Sequence, residues 1–369
     1  MNQMNLGIIG ASYLQLPLIK KAKEMGYTTH VFAWACNDIG EKVADYFYPI
    51  SIVEKEKILE KCQEIGICGI CSIASDLAVI TVNYVAEKMN LVGNSILSGN
   101  KCTNKYLMRE SFALRGDPSP KSYLIEKNIN IKDLDLNYPV IIKPTDRSGS
   151  RGIYKINSPD EVLEIIEIVE HESFEKKALI EEYVKGTEYS VEYISYKGKH
   201  YFLALTLKYT TGAPHFIETK HLEPAPISSE MLNKVKNVIP HALDSLDIQN
   251  GASHSEIKID DKGNIQIIEI GARMGGDCIG SDLVMYSTGY DFVKMVIDVS
   301  CGREPDFTKI CDPIPVESVF IFTQNDIDEL HKLEIKNPDR IIRIVDFNPN
   351  NIGKITDSSN RAGCYIRKA

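Results

Sequence analysis

Two glutamates on a short hairpin carry the most suggestive chemistry in this chain. Residues 255–260 and 265–270 are rich in isoleucine and read as strands, and residues 261–264, Asp-Lys-Gly-Asn, are a strong turn signal between them. With Lys262 and Gly263 at the tip, Glu256 lies directly opposite Glu269. Opposed residues on an antiparallel pair share a face with Cβ atoms about 5 Å apart, so two carboxylates there repel unless a cation compensates them. Hard oxygen donors suit Mg²⁺, which takes one or two carboxylates and completes its shell with water and substrate phosphates. The alternative is a solvated hairpin face with two incidental glutamates. Arg273 and the pair Gly275-Gly276 follow at once. A guanidinium and bare backbone just beyond two carboxylates suit a site that handles anionic intermediates. His254 stands two residues before Glu256 and so on the same strand face, where it either fills a cleft wall or touches a substrate.

These side chains need a scaffold, and the chain predicts one. Residues 6–10 form a short apolar strand, 16–25 a helix closed by Gly26, and 28–34 a second strand. Helices at 58–65 and 81–89 and a strand at 69–74 continue the alternation of a doubly wound α/β domain. The turn after the first strand lacks the full G-x-G-x-x-G, and Phe32-Ala33-Trp34 closes the second strand without a ribose-binding acid, which argues against an NAD site. Its backbone amides could still touch a small anion. Residues 98–104 read as a polar connection, followed by a helix over 104–114 with Lys105 near its start. Gly116-Asp117-Pro118-Ser119-Pro120 ends that helix at a domain junction.

Residues 138–143 form an apolar strand ending in Lys143, and the loop 145–152 that follows is rich in glycine, serine and arginine. Such a loop brings amides, hydroxyls and guanidinium groups to phosphate, although it is not a Walker A sequence. A helix over 159–171 begins behind Ser158, and strands follow at 178–183, with Glu181 and Glu182, then at 189–195 and 200–207. His215, Lys220 and His221 fall in an expected loop over the cleft. A helix over 232–246 precedes the hairpin, one or two helices over 282–299 follow it, and strands at 316–322, 340–347 and 364–367 suggest a small β-rich C-terminal part.

Composition sets the outer bounds. The 369 residues suffice for two or three domains, and 43% hydrophobic and 25% charged residues are ordinary for a soluble globular protein. A net charge of −9 and no basic stripe argue against nucleic acid as a partner. No apolar run approaches the roughly 18 residues of a membrane span, and the N-terminus lacks signal-peptide character. Nine scattered cysteines fit a reducing cytoplasm. Cys68 and Cys71 have redox or zinc-half-site spacing, but they lie in what reads as a buried strand, so they are taken as structural. Oligomeric state is open, a homodimer being the commonest assembly.

In this order the pieces resemble the ATP-grasp superfamily of carboxylate–amine ligases over nearly the whole chain. The resemblance implies an α/β fold with an α+β clamp. Residues 1–100 would form a doubly wound N-terminal domain. Residues 101–305 would form a two-lobed nucleotide clamp with its flap lobe at about 121–185. Residues 306–369 would form the C-terminal part. Lys105, and Lys143 in Val-Ile-Ile-Lys-Pro, match the family's two nucleotide lysines. Residues 146–152 look like its flap, with Ser148, Gly149 and Ser150 on phosphate. Glu181, Glu182, Tyr183 and Val184 look like the hinge that pairs adenine through the backbone of Glu182 and Val184, and Glu188 matches the ribose-binding glutamate. Glu256 and Glu269 match the two metal carboxylates, although Gly271 stands where many members carry a third ligand, Asn. Arg273 matches the arginine that stabilises an acyl phosphate or binds a substrate carboxylate, with Gly275 and Gly276 offering main-chain N–H groups and His254 near the substrate.

The implied reaction uses ATP and Mg²⁺, with Mn²⁺ able to substitute. It joins a small-molecule carboxylate, such as an amino acid, to an amine through an acyl phosphate. The alternatives are a purine-pathway member, such as a glycinamide ribonucleotide ligase or a bicarbonate-using carboxylase, and a non-catalytic nucleotide-binding protein on the same scaffold.

Overall fold

The computed structural model describes residues 4–125, 131–149, 151–212, 216–353 and 361–369. The chain opens with a parallel sheet of four strands, β1 (Asn5–Ile9), β2 (Thr28–Phe32), β3 (Tyr46–Tyr48) and β4 (Gly69–Cys71), in the order β3-β2-β1-β4. Leu6, Ile8 and Ile9 on β1 are wholly buried, which is why this strand reads as a continuous apolar run. Helices α1 (Leu16–Glu24), α2 (Ile39–Val43), α3 (Lys55–Ile65) and α4 (Asp76–Lys88) connect and follow the strands. The turn after β1 keeps its amides for itself: Gly10 donates to the Phe32 carbonyl at 2.8 Å and Ser12 to Gln15 Oε1 at 3.2 Å. The anion contact that the sequence allowed there is therefore not made available by those two groups.

Residues 98–103 of the expected connection are helical instead. Helix α5 (Ile96–Thr103) starts behind Ser95, whose side chain accepts from the Ser98 amide, and it buries Ser98, Gly99 and Cys102. A Cβ on Gly99 would meet Asn83 Nδ2 at 2.9 Å, so the glycine that looked like a turn residue serves close helix packing. Asn104 then caps α6 (Lys105–Arg115), accepting from the Tyr106 and Leu107 amides at 3.0 and 3.1 Å, and Gly116 ends it at φ 75°. That cap fixes Lys105 as the first residue of the helix, and its amide donates to the Thr145 carbonyl at 2.7 Å.

A small second sheet, in the order β5-β8-β6-β7, is built from β5 (Ser122–Leu124), β6 (Val140–Pro144), β7 (Tyr154–Ile156) and β8 (Ala178–Glu182). Helix α7 (Val162–Glu172) covers it, burying Val162, Ile166 and Val169 against Val140, Ile142 and Ile180.

The main sheet has eight strands: β9 (Thr187–Tyr196), β10 (Lys199–Thr210), β11 (Glu218–Glu223), β12 (Gly251–Ile259), β13 (Ile265–Gly271), β14 (Val316–Ile321), β15 (Ile341–Val345) and β16 (Gly363–Lys368). Their order is β13-β12-β9-β10-β11-β14-β16-β15, so the C-terminal strands continue the sheet that carries the hairpin. Helix α8 (Ser229–Ser245) and α6 seal one face with Val235, Ile239, Leu243, Met108 and Phe112. After a π-turn at Ile279–Leu283 come α9 (Val284–Thr288) and α10 (Phe292–Ser300). The apolar side of α10 joins the core of the N-terminal sheet. The C-terminal part also holds a helix that the strand-based expectation missed, α11 (Gln324–Lys336). It starts at a reciprocal capping box between Thr323 and Asp326.

Candidate active site

The hairpin register differs from its expectation at the tip and agrees at the glutamates. Ile259 pairs with Ile265, one residue out of step with a turn centred on Lys262 and Gly263. A bulge at Ile268 then makes up the residue, and Glu256 pairs with Glu269. Period two would otherwise send Glu269 to the same side as the fully buried Ile267. The bulge turns both Ile268 and Glu269 into the cavity instead, where Glu256 joins them.

That cavity has a volume of about 450 Å³ and lies where the three sheets meet. Ile141 and Ile153 of the small lobe and Ile268 of the hairpin are among its apolar lining residues. Glu182, Tyr183, Val184 and Glu188 line it as well. The Tyr183 amide is committed to the Pro139 carbonyl at 3.2 Å, and the Glu182 carboxylate to the Asn137 side chain at 2.9 Å.

The cavity holds a lattice of opposite charges. Lys105 Nζ donates to Glu269 Oε1 at 2.8 Å and to the Arg147 carbonyl at 2.7 Å. Lys143 pairs with Glu181, whose other oxygen accepts from Arg109 Nε at 3.1 Å, all three being buried. Burial pushes the Lys143 ammonium down against the pull of Glu181, while for Glu181 the burial penalty is outweighed by Arg109 and Lys143. Arg109 also donates to the Ile268 carbonyl at 2.7 Å, fixing the bulge. Lys208 binds Glu256 at 2.6 Å and reaches Glu188 at 3.0 Å and Glu218 at 3.6 Å. Burial opposes a charged Glu256, yet Lys208 and then His254 hold its carboxyl well below the usual range. His254 Nε2 lies 3.5 Å from Glu256, and Nδ1 pairs with the wholly buried Glu192. Burial alone would lower the imidazole; Glu192 and Glu256 raise it to about 9.

Arg273 is held by Asp76 through two bonds, 2.8 Å at Nε and 3.0 Å at Nη2. A Cβ on Gly271 would meet Asp76 Oδ1 at 2.8 Å and Arg273 Nε at 3.3 Å. The Asp76–Arg273 pair therefore fills the space that the more common Asn would need. Gly275 does not present its N–H to the cavity, contrary to expectation: it donates to Glu192 Oε2 at 3.1 Å. A Cβ there would strike His254 Nδ1 at 2.8 Å, so Gly275 is glycine for packing, whereas Gly276 does line the cavity. Next to it Asp277 and Cys278 both adopt left-handed conformations, φ 52° and 63°. Asp277 receives Arg361 Nη1 at 2.8 Å and faces His221 Nε2 at 3.6 Å, while Arg361 Nη2 reaches Glu218 at 2.7 Å.

The flap approaches through Ser148 and Gly149, with Arg147 and Arg151 also lining the cavity; Ser150 and His215 lie outside the described residues. Asp146 anchors the loop, accepting from the Phe174 and Glu175 amides and the Ser173 hydroxyl. Lys220 and His221 belong to strand β11, not to a loop over the cleft. Lys220 turns away to Glu317 at 2.8 Å, and His221 lines the cavity. Sequence reasoning missed Asp76, Arg109, Glu192 and Lys208. The one legible signal among them was a lysine in the otherwise apolar run of β10.

The donor set fits a divalent cation in chemistry: two opposed carboxylates, both partly open to the cavity, with lysines now balancing their charge. Among the described residues no third His, Cys, Asp or Glu joins them in a metal-ligating cluster. Such an ion would take most of its ligands from water and phosphate.

Residues 136–282 match the model of the ATP-grasp domain. The chain carries this match over 147 of its 369 residues. It is 26% identical over 309 residues to an alanine–anticapsin ligase of Bacillus subtilis, covering 74% of this chain and 65% of that one. The chain thus spans under two thirds of that curated relative. The L-amino acid ligase structure from Bacillus licheniformis superimposes with a TM-score of 0.81 at 20% identity, covering 100% of this chain and 93% of that one. Phosphoribosylglycinamide synthetase from Anaerococcus prevotii gives 0.79 at 22%, covering 100% and 94%. These superpositions establish the ATP-grasp fold. No helix among the described residues is long and apolar enough to cross a membrane.

Proposed function

We propose that this ATP-grasp chain is an ATP- and Mg²⁺-dependent ligase that joins a carboxylate, an amino acid or similar small metabolite, to an amine through an acyl phosphate. The observation that carries the reading is one cavity lined by isoleucines, a lysine–glutamate lattice and an arginine. Adenine suits Ile141, Ile153 and Ile268 with the backbone of Glu182 and Val184, and Glu188 suits the ribose. Lys105 and Lys143 sit on Glu269 and Glu181 and would exchange these carboxylates for phosphate oxygens as mobile point charges. Magnesium, held by Glu256 and Glu269, would neutralise charge on the transferring phosphoryl group. Ser148 and Gly149 would cover the triphosphate and keep water out. Arg273, oriented by Asp76, would meet the substrate carboxylate and then the acyl phosphate, beside the open backbone of Gly276.

One feature favours amino-acid substrates over a phosphoribosyl amine. Arg273 on the cavity wall and Arg361, which backs Asp277 and Glu218 of that wall, are both committed to carboxylates, Asp76 for the first and Asp277 with Glu218 for the second. A phosphate dianion would have to displace one of these pairs, whereas a zwitterion brings its own ammonium. The test is phosphate release from ATP and Mg²⁺ across pairs of amino acids, with mass spectrometry of the product. Stimulation by amino-acid pairs and an amide product support the reading. Stimulation by phosphoribosyl amines alone, or no turnover with any carboxylate and amine, contradicts it.

A further inference from the structure

The cysteine pattern holds a pairing that spacing alone did not show. Cys71 is buried, but Cys68 is exposed, because β4 starts only at Gly69 and not within a longer buried strand. The thiol that faces Cys68 is not Cys71 but Cys301, which closes the C-terminal end of α10. Cys301 Sγ rests against the backbone beside Cys68: a Cβ on Gly69 would lie 2.9 Å from it. Cys68 Sγ donates to the Asn5 carbonyl oxygen at 3.2 Å, Cys301 Sγ lies 3.9 Å from Ser300 Oγ, and the two thiols are near enough to shift each other's proton affinity.

We propose that Cys68 and Cys301 are a modification site that closes to a reversible disulfide by exchange with a low-molecular-weight disulfide such as oxidised glutathione. Cys301 is the attacking sulfur and Cys68 the resolving one. The Cys301 thiolate attacks one sulfur of the small disulfide, forms a mixed disulfide and expels a thiolate. Cys68 gives its proton to that thiolate and attacks the Cys301 sulfur, which expels the second glutathione. Two protein thiols thus lose two electrons and two protons, and one small disulfide becomes two thiols.

The surroundings suit this division of labour. The groups facing Cys301 are the Cys68 thiol, the Tyr27 and Ser300 hydroxyls and the Arg303 guanidinium, with Cys71 behind. Arg303 is anchored on Asp298 at 2.6 Å and lies 5.5 Å from the Tyr27 ring centre. The neighbouring Cys68 thiol, against burial and with help from Tyr27, Ser300 and Arg303, brings the Cys301 thiol down to about 6. The same proximity pushes Cys68 up, and burial holds Cys71 at about 12. The bond would tie α10 to β4, whose far end leads into Ala74 and Asp76 of the cavity wall.

The experiment uses the full chain. Iodoacetamide labelling with peptide mass spectrometry at pH 6 should find Cys301 modified roughly tenfold faster than a short cysteine peptide. The larger thiolate fraction there outweighs the lower nucleophilicity of a low-pKa thiol. Oxidised glutathione should then remove two hydrogens and give one cross-linked peptide joining Cys68 to Cys301, reversed by reduced glutathione. Cys68→Ser should stop at a glutathione adduct on Cys301, and Cys301→Ser should form neither adduct nor cross-link at this place. A Cys68–Cys71 cross-link, no internal cross-link in the wild type, or ordinary labelling kinetics at Cys301 would each overturn the proposal.

Discussion

Replacing Glu192 by Gln should change the charge of His254 without touching the cavity surface. Glu192 is wholly buried behind the imidazole, and its other contact is the Gly275 amide. Against burial, Glu192 and to a smaller extent Glu256 lift His254 from 6.5 to about 9. Because His254 is itself almost fully enclosed, little of that effect is lost to solvent, and it corresponds to about 3 kcal/mol. The folded value lies above the unfolded one, so this stability is fully present below pH 6.5 and is lost as pH rises through about 9. Histidine ring carbons can be followed by NMR titration, with His254→Gln identifying the resonance. In the wild type that signal should titrate near 9. In Glu192→Gln it should fall to or below 6.5, since burial and Arg273 then oppose the weaker pull of Glu256 and Asp76. Urea unfolding should lose about 3 kcal/mol more between pH 6.5 and 9.5 in the wild type than in the variant. A wild-type His254 that titrates at or below 6.5, or identical pH slopes for both proteins, refutes the reasoning.

Three further substitutions follow from the same geometry. Glu269→Ala should keep the fold, since the residue faces the cavity, yet lose nearly all ATP turnover; undiminished activity removes it from the metal assignment. Gly271→Asn should force Asp76 off Arg273, because the space is already filled at 2.8 Å, and so lower turnover more than nucleotide affinity measured by calorimetry. Unchanged turnover there means the pair does not position Arg273 for the reaction. Arg361→Met leaves Asp277 and Glu218, both half-buried in the cavity wall, with only His221 and Lys208 at 3.6 Å, a loss of about 1–2 kcal/mol in denaturant titration; an unchanged stability would show that water replaces the guanidinium.

Local signals carried much of the architecture. Apolar runs, glycine stops and cap residues marked most strands and helices because these depend on neighbours in sequence, as with Asn104 and Gly116 around α6. Besides the five-residue α2, two helices escaped, for opposite reasons. The polar face of α5 hides an inward side held by one serine cap, and the Thr323–Asp326 box of α11 was overshadowed by β-rich flanks. The opposition of Glu256 and Glu269 was legible from alternation, although the bulge that restores it at Ile268 was not. Lys208, Glu192, Arg109 and Asp76 come from strands and helices remote in sequence, and each acquires meaning only through a charge it meets in space. Gly275 misled because a glycine needed for tight packing and one needed for an open backbone look alike in a sequence.

The account stands on the two hairpin carboxylates sharing one ion beneath a bound nucleotide. The most direct measurement is a crystal structure with ADP and Mn²⁺, in which the anomalous difference map locates the metal. The expected peak lies between Glu256 and Glu269, with oxygen distances of about 2.1–2.2 Å and the adenine between Ile141 and Ile268. A peak bound to neither carboxylate, with the nucleotide in another part of the molecule, would contradict it.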